Sequence, residues 1–160
     1  MRKLTVIFAL LFLLPAYAMA QSTETRRGWG YGFFGVGGAT AGNSTIFHAG
    51  GGGEAILYKG LGVGAEAGAF GSFSGGDGGI FSVNGNYHFQ NTGSPQKLVP
   101  FVTAGYTLLG PSDETNLFNF GGGVNYWAKE RVGLRVEFRD HVFPNGSEHL
   151  FNVRVGITFR

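Results

Sequence analysis

The stretch GLRVEFRDH, Gly133 to His141, separates into two chemical sets when read at every second position. Leu134, Val136 and Phe138 fall on one side, and Arg135, Glu137 and Arg139 fall on the other. Strict alternation of this kind gives a β-strand with two opposed faces. The period-two pattern recurs near Trp29–Ala39, Phe47–Tyr58, Leu61–Phe73, Ile80–Phe89, Leu98–Leu109, Leu117–Ala128, Val132–Asp140 and His149–Phe159. Turn-forming segments separate these stretches: TAGNST, KG, SGGDGG, QNTGSPQK, GPSDETN, KER and HVFPNGSE. Strands of about eleven residues have the length that crosses a bilayer on a tilt. An even number lets an antiparallel sheet close on itself and leaves no unpaired edge. The expected fold is all-β, an eight-stranded antiparallel up-and-down transmembrane β-barrel.

Volume decides which face is inside. The apolar face carries Leu134, Val136 and Phe138, then Phe151, Val153, Val155, Ile157 and Phe159. An eight-stranded barrel is only wide enough for side chains to fill it, and residues of this size all round would overpack it. The opposite face is small and polar, with Gly62, Gly64, Gly68, Gly121, Gly123, Gly133, Gly156, Ser82, Asn84, Asn119 and Asn125. Glycine in a strand that faced water would weaken it and pack nothing. The small face therefore lines the lumen and the apolar face meets lipid. By the same parity Glu54, Glu66, Arg135, Glu137, Arg139 and Arg154 point inward, three charges of each sign. Equal numbers are expected where buried charges must find partners. A lumen plugged by these ion pairs is favoured over a narrow ion-conducting pore.

The start of the chain reads as an export signal, 1–20, followed by a barrel domain, 21–160. Arg2 and Lys3 precede an apolar run from Leu4 to Leu14, Pro15 interrupts it, and Ala18-Met19-Ala20 offers a cleavage site before Gln21. The run is too short for a bilayer-spanning helix, which needs ~20 residues. With no cysteine anywhere, disulfides and thiolate metal sites are excluded. Removing Arg2 and Lys3 leaves ten of the twelve Lys and Arg against ten Asp and Glu, so nucleic acid is not an expected partner. The 30 glycines and 16 phenylalanines argue against both collagen, which needs a three-residue period, and low-complexity disorder.

If the N-terminus is periplasmic, KG, QNTGSPQK and KER lie on that side, and the other connections, somewhat longer, lie outside. Arg26, Arg27, Lys59, Lys97, Lys129, Arg131 and Arg160 are then periplasmic, while Asp77, Asp113, Glu114, Asp140 and Glu148 mark the outer rim. Trp29, Tyr31, Tyr58, Phe73, Phe89, Tyr126, Trp127, Phe138 and Phe143 sit near strand ends, where interfacial girdles are expected.

Across the whole mature length the pattern resembles the small bacterial outer-membrane β-barrels related to the OmpA transmembrane domain and OmpX. The most specific element is the last strand, FNVRVGITFR. There Phe151, Val153, Val155, Gly156, Ile157 and Phe159 are similar to the signal read by the barrel assembly machinery, although Arg160 follows the final aromatic residue. The resemblance implies the bacterial outer membrane as location. Its implied partners are outer-membrane lipid, lipopolysaccharide and, during insertion, the assembly machinery. A monomer with a structural, envelope-integrity role is expected, with no cofactor and no enzymatic activity.

Other signals carry less. Gly30, Gly32 and Gly35 satisfy GxGxxG, but they lie within a strand rather than between a strand and a helix. His48, His88, His141 and His149 lack metal-ligand spacing. A lipid A-modifying enzyme is the weaker alternative. His141, Ser147, Glu148 and His149 have the residue types of a hydrolytic site near the outer rim, without a recognisable arrangement.

Overall fold

A computed structural model describes residues 28–160 apart from 41, 43, 74, 76, 91–95, 111–114 and 147. The expected export signal, 1–20, lies outside the described residues, as do Arg26, Arg27, Asp113, Glu114 and Ser147. The strands are β1 Gly28–Ala39, β2 Thr45–Tyr58, β3 Leu61–Ser72, β4 Asp77–His88, β5 Leu98–Gly110, β6 Thr115–Tyr126, β7 Val132–Val142 and β8 His149–Phe159. Each pairs antiparallel with the next, and β1 pairs with β8, so the sheet is a closed eight-stranded up-and-down barrel.

Several strands run further at one end than apolar alternation suggests. Gly38 pairs with Thr45, Gly79 with Gly110, Leu109 with Thr115, and Val142 with His149. A ladder needs only backbone groups, so pairing continues after the side-chain pattern has lapsed. This is the loop end, with connections 40–44, 73–76, 111–114 and 143–148. The opposite turn end has connections 59–60, 89–97 and 127–131. The expected length difference is absent, since the longest connection, 89–97, lies at the turn end. The tightest is Lys59-Gly60, with φ of 43° and 90°. Two successive positive φ values give the hairpin turn whose twist matches that of the flanking strands, and glycine takes the second place without strain.

The two faces segregate as volume requires. Val136, Phe138, Val153 and Ile157 are exposed on the outside, while Ser82, Asn119, Asn125, Arg135 and Arg139 are buried within. A polar interior under an apolar exterior inverts the arrangement of a water-soluble barrel. It suits a chain whose outer solvent is lipid.

The aromatic girdle needs correction. Tyr58, Phe73, Phe89, Tyr126 and Phe138 do face outward, but Trp29, Tyr31 and Trp127 are 3%, 4% and 3% exposed and lie inside the barrel. Parity accounts for all three. Trp29 and Tyr31 share the inward register of Gly35, whose Cβ position abuts Arg154, and Trp127 follows the inward Asn125 by two residues. Proximity to a strand end does not decide the face; register does.

Candidate functional site

The lumen is the only place where the described strands bring ionisable side chains from six elements together, His88 of β4 among them. β2 contributes Glu54, β3 Glu66, β7 Arg135, Glu137 and Arg139, and β8 Arg154, with Tyr31 from β1 beside them. Their contacts form one chain of alternating sign. Arg135 meets Glu54 at 3.2 Å through Nη1 and Glu137 at 3.0 Å through Nε. Glu137 Oε1 also accepts from Arg139 Nε at 2.7 Å and from Arg154 Nη2 at 2.8 Å, and is paired with Arg139 Nη2 as well. Arg154 Nη1 then reaches Glu66 Oε1 at 2.8 Å, and its Nη2 donates to Glu66 Oε2 at 3.2 Å. Arg139 Nη1 lies 3.5 Å from Glu66 Oε1. A carboxylate offers about four lone-pair sites, and Glu137 is used by three guanidinium groups at once.

Further polar groups complete the network. The Tyr31 hydroxyl donates to Glu66 Oε2 at 3.0 Å, and Arg139 Nη1 donates to Asn119 Oδ1 at 2.8 Å. Asn119 in turn donates to Asn84 Oδ1 and to Thr107 Oγ1, each at 2.9 Å. Ser82 and Thr107 share a bond of 2.8 Å. His88 Nε2 approaches Glu54 Oε2 at 3.2 Å.

Sequence reasoning missed the aromatic half of this interior. Arg135 stacks over Tyr31 and Phe101 with its guanidinium carbon 4.3 and 3.9 Å from the ring centres, and Arg154 lies 4.1 Å from that of Phe33. Such stacking is strongest where water is excluded. It also explains how rings fit a narrow bore, because each lies within about 4 Å of a guanidinium carbon rather than beside another bulky apolar group. Glycine supplies the remaining space. A Cβ on Gly123 would stand 2.9 Å from the Phe101 ring and 2.2 Å from the Val136 carbonyl oxygen. Register could have found Phe101, which is odd-numbered on a strand whose Val102 and Tyr106 face outward.

Apolar side chains cluster at both ends of this polar column. At the turn end Trp29, Val99 and Trp127 cluster with Ile56 against them, and Trp29 meets Trp127 with ring centres 5.5 Å apart. His88 stands edge-on to Trp29 at 4.5 Å, and Arg160 lies over Trp127 at 4.2 Å. At the loop end Ile46, Phe70, Ile80, Leu109 and Leu150 surround a cavity of about 10 Å³, and His48 and Asn152 also border it. That is room for about one water.

The remaining candidates stand outside this network, although His141 shares the inward register of Arg139. His149 Nδ1 is 2.8 Å from Asp140 Oδ2 at the loop-end rim, while His141 is buried with Nδ1 3.3 Å from the Leu150 carbonyl oxygen. Ser147 lies outside the described residues, so no nucleophile is placed beside this pair. No cluster of metal-ligating side chains occurs among the described residues. On β8, Phe151, Val153, Val155, Ile157 and Phe159 face outward in one row. Gly156 faces inward, where a Cβ would fall 2.2 Å from the Gly32 carbonyl oxygen.

No known protein-family model matches this sequence, and no curated protein matches it. Solved structures do. The N-terminal β-barrel domain of Pseudomonas aeruginosa OprF is similar over 83% of this chain and 98% of its own, at 19% identity and a TM-score of 0.63. Neisserial surface protein A covers 82% of this chain and 94% of its own, at 11% identity and a TM-score of 0.61. Ail, the attachment invasion locus protein of Yersinia pestis, covers 82% and 95%, at 10% identity and a TM-score of 0.53. At these identities the likeness is one of fold, and the fold is that of the small eight-stranded transmembrane β-barrels.

Proposed function

We propose that this chain is an integral protein of a bacterial outer membrane, exported by a cleaved signal at 1–20, and that it acts as a sealed structural barrel of the envelope. The observation that carries the reading is the continuous chain of contacts from Glu54 through Arg135, Glu137 and Arg154 to Glu66, capped by apolar side chains at both ends. A pore needs mobile water beside its charges, whereas here each carboxylate is held by one or more arginines. The outward row Phe151, Val153, Val155, Ile157 and Phe159, with Gly156, would serve as the strand presented to the assembly machinery. The barrel would work as a monomer amid outer-membrane phospholipid and lipopolysaccharide, without cofactor or catalysis.

The test is electrical. Protein purified in detergent and added to a planar bilayer should insert without stepwise conductance. Stable unitary steps that depend on protein would overturn the sealed lumen and favour the narrow pore. Recovery of the protein in the inner-membrane or soluble fraction would overturn the location.

A further inference from the structure

The loop-end part of the lumen holds polar atoms that the ion-pair chain does not use. Among the described residues His48 Nε2, His141 Nε2, Arg154 Nε and both amide atoms of Asn152 are buried without a hydrogen-bond partner. A bare buried polar atom is costly, so a group of them calls for a physical reason. Register gathers these. His48 stands opposite Gly35, and Gly35 stands opposite Arg154, so no side chain separates the imidazole from the arginine stem across β1. A Cβ on Gly35 would lie 2.9 Å from Arg154 Cγ. Phe33 is shared by the two, with the His48 ring edge-on at 4.8 Å and the Arg154 guanidinium carbon at 4.1 Å from its ring centre. Asn152 is the next inward residue along β8, and with His48 it borders the cavity of about 10 Å³, whose other lining side chains are apolar.

Charge decides what this cavity can take. The charged groups that act on His48 are Arg154 of β8, Glu66 of β3, and Arg139 and Glu137 of β7. Those that act on His141 are Arg139, Arg154 and Glu66, besides His48 itself. Glu66 and Glu137 are already held by arginines. Asp140 precedes His141 in the chain but stands in the outward register of Phe138. The unused atoms of this group therefore include two fixed N–H donors, Arg154 Nε and Asn152 Nδ2, and no carboxylate oxygen. A small cavity bordered by an N–H donor, with a guanidinium beside it, suits a monovalent anion and disfavours a metal cation.

We propose that the loop-end cavity is a site for a halide-sized monovalent anion, held by Asn152 Nδ2 and His48 Nε2, and that His48 takes up a proton with it. The six lumen charges cancel, three of each sign, so an anion there brings one charge that needs compensation. His48 can supply it, because a protonated imidazole is cationic and donates from both ring nitrogens. His141 does not border the cavity and is left out of the site. Coupling one proton to one anion makes the affinity rise as pH falls, by about tenfold per unit while His48 is neutral in the empty site.

Thermal unfolding of the detergent-purified protein in sodium bromide, against sodium gluconate of equal ionic strength, tests this at roughly pH 5 and pH 8. Gluconate is too large for the cavity. Bromide should raise the midpoint over gluconate, and the half-saturating bromide concentration should be at least about tenfold lower at the acid pH. His48→Gln keeps an N–H donor but takes no proton, so its bromide response should lose the pH dependence. Asn152→Leu fills the cavity and should abolish the response, and if that variant fails to fold, Asn152→Ser takes its place. His149→Gln, at the partly exposed histidine of the same end, should keep both the response and its pH dependence. Anomalous scattering from bromide in crystals should fall beside His48 and Asn152. Equal midpoints in the two salts at both pH values would mean that the cavity takes water alone, and would overturn the site. A bromide response that survives in the folded Asn152 variant, or disappears in His149→Gln, would do the same. A pH dependence that persists in His48→Gln would overturn the proton coupling.

Discussion

Strand β7 lies in two solvents at once. Leu134, Val136 and Phe138 stand outside, each about half exposed, while Arg135, Glu137 and Arg139 alternate with them and are 1–2% exposed inside. The outer set needs nothing from its neighbours except that lipid be apolar, so those positions are interchangeable within a chemical class. The inner set is defined by partners. Glu137 has three arginines on it, two of which are shared with a second carboxylate, Arg135 with Glu54 and Arg154 with Glu66. Tolerance on one face and strict dependence on the other, along a single stretch of backbone, is what a narrow lipid-embedded barrel imposes.

Four substitutions test that contrast. Glu137→Gln removes the anion that three guanidinium groups share and leaves three arginines against Glu54 and Glu66. It should destabilise the barrel by roughly 3–5 kcal/mol in urea unfolding from detergent, less if water enters the lumen. An unchanged midpoint would show that the inner pairs carry no stability. Val136→Arg moves a cation to the lipid face at mid-strand and should cost roughly 2–4 kcal/mol when unfolding is followed from bilayers. If it costs less than a polar change at Asn125, the assignment of the two faces fails. Gly123→Ala presses a methyl group against Phe101 and the neighbouring carbonyl. It should cost roughly 1–3 kcal/mol through overpacking, with Phe101→Leu in the same chain recovering part of the loss. Recovery would localise the strain to the ring rather than to the backbone. The smallest effect belongs to Asn125→Ser. Neither amide atom of Asn125 meets a protein partner, so its loss should cost below about 1 kcal/mol by the same urea measurement.

β7 and β8 were readable from sequence because their alternation is unbroken. β1 was placed as a strand but its faces were not legible, and the reason is local. Phe33 and Phe34 are adjacent rings, one 8% and the other 56% exposed, so size no longer reports the face. Once Gly35 and Arg154 fix the register, Trp29, Tyr31 and Phe33 turn inward together. For the lumen, parity selects the six charged residues, but it does not say which carboxylate meets which guanidinium. That depends on how far each strand is staggered against its neighbours around the ring. Glu137 and Arg154 are opposed in the β7–β8 ladder, whereas Glu54 and Arg135 lie on strands that do not pair. The loop-end starts of β2, β4 and β6 and the loop-end limits of β5 and β7 were misplaced for a different reason, because backbone pairing there outlasts the side-chain pattern.

The seam between β1 and β8 has a consequence in time rather than in energy. Gly30 and Phe159 are opposed there, and Thr158 Oγ1 donates to the Gly30 carbonyl at 3.3 Å across 128 positions of sequence. Every other ladder joins neighbours in the chain and can zip from a turn, as β2 and β3 can from Lys59-Gly60. The seam has no turn to start from. It can form only after the intervening hairpins have been laid side by side, when the two ends of a long chain meet. Until then the sheet carries two raw edges. The last event of folding is therefore their meeting, and a folding factor that holds those edges in register would shorten the interval in which they can pair with another chain.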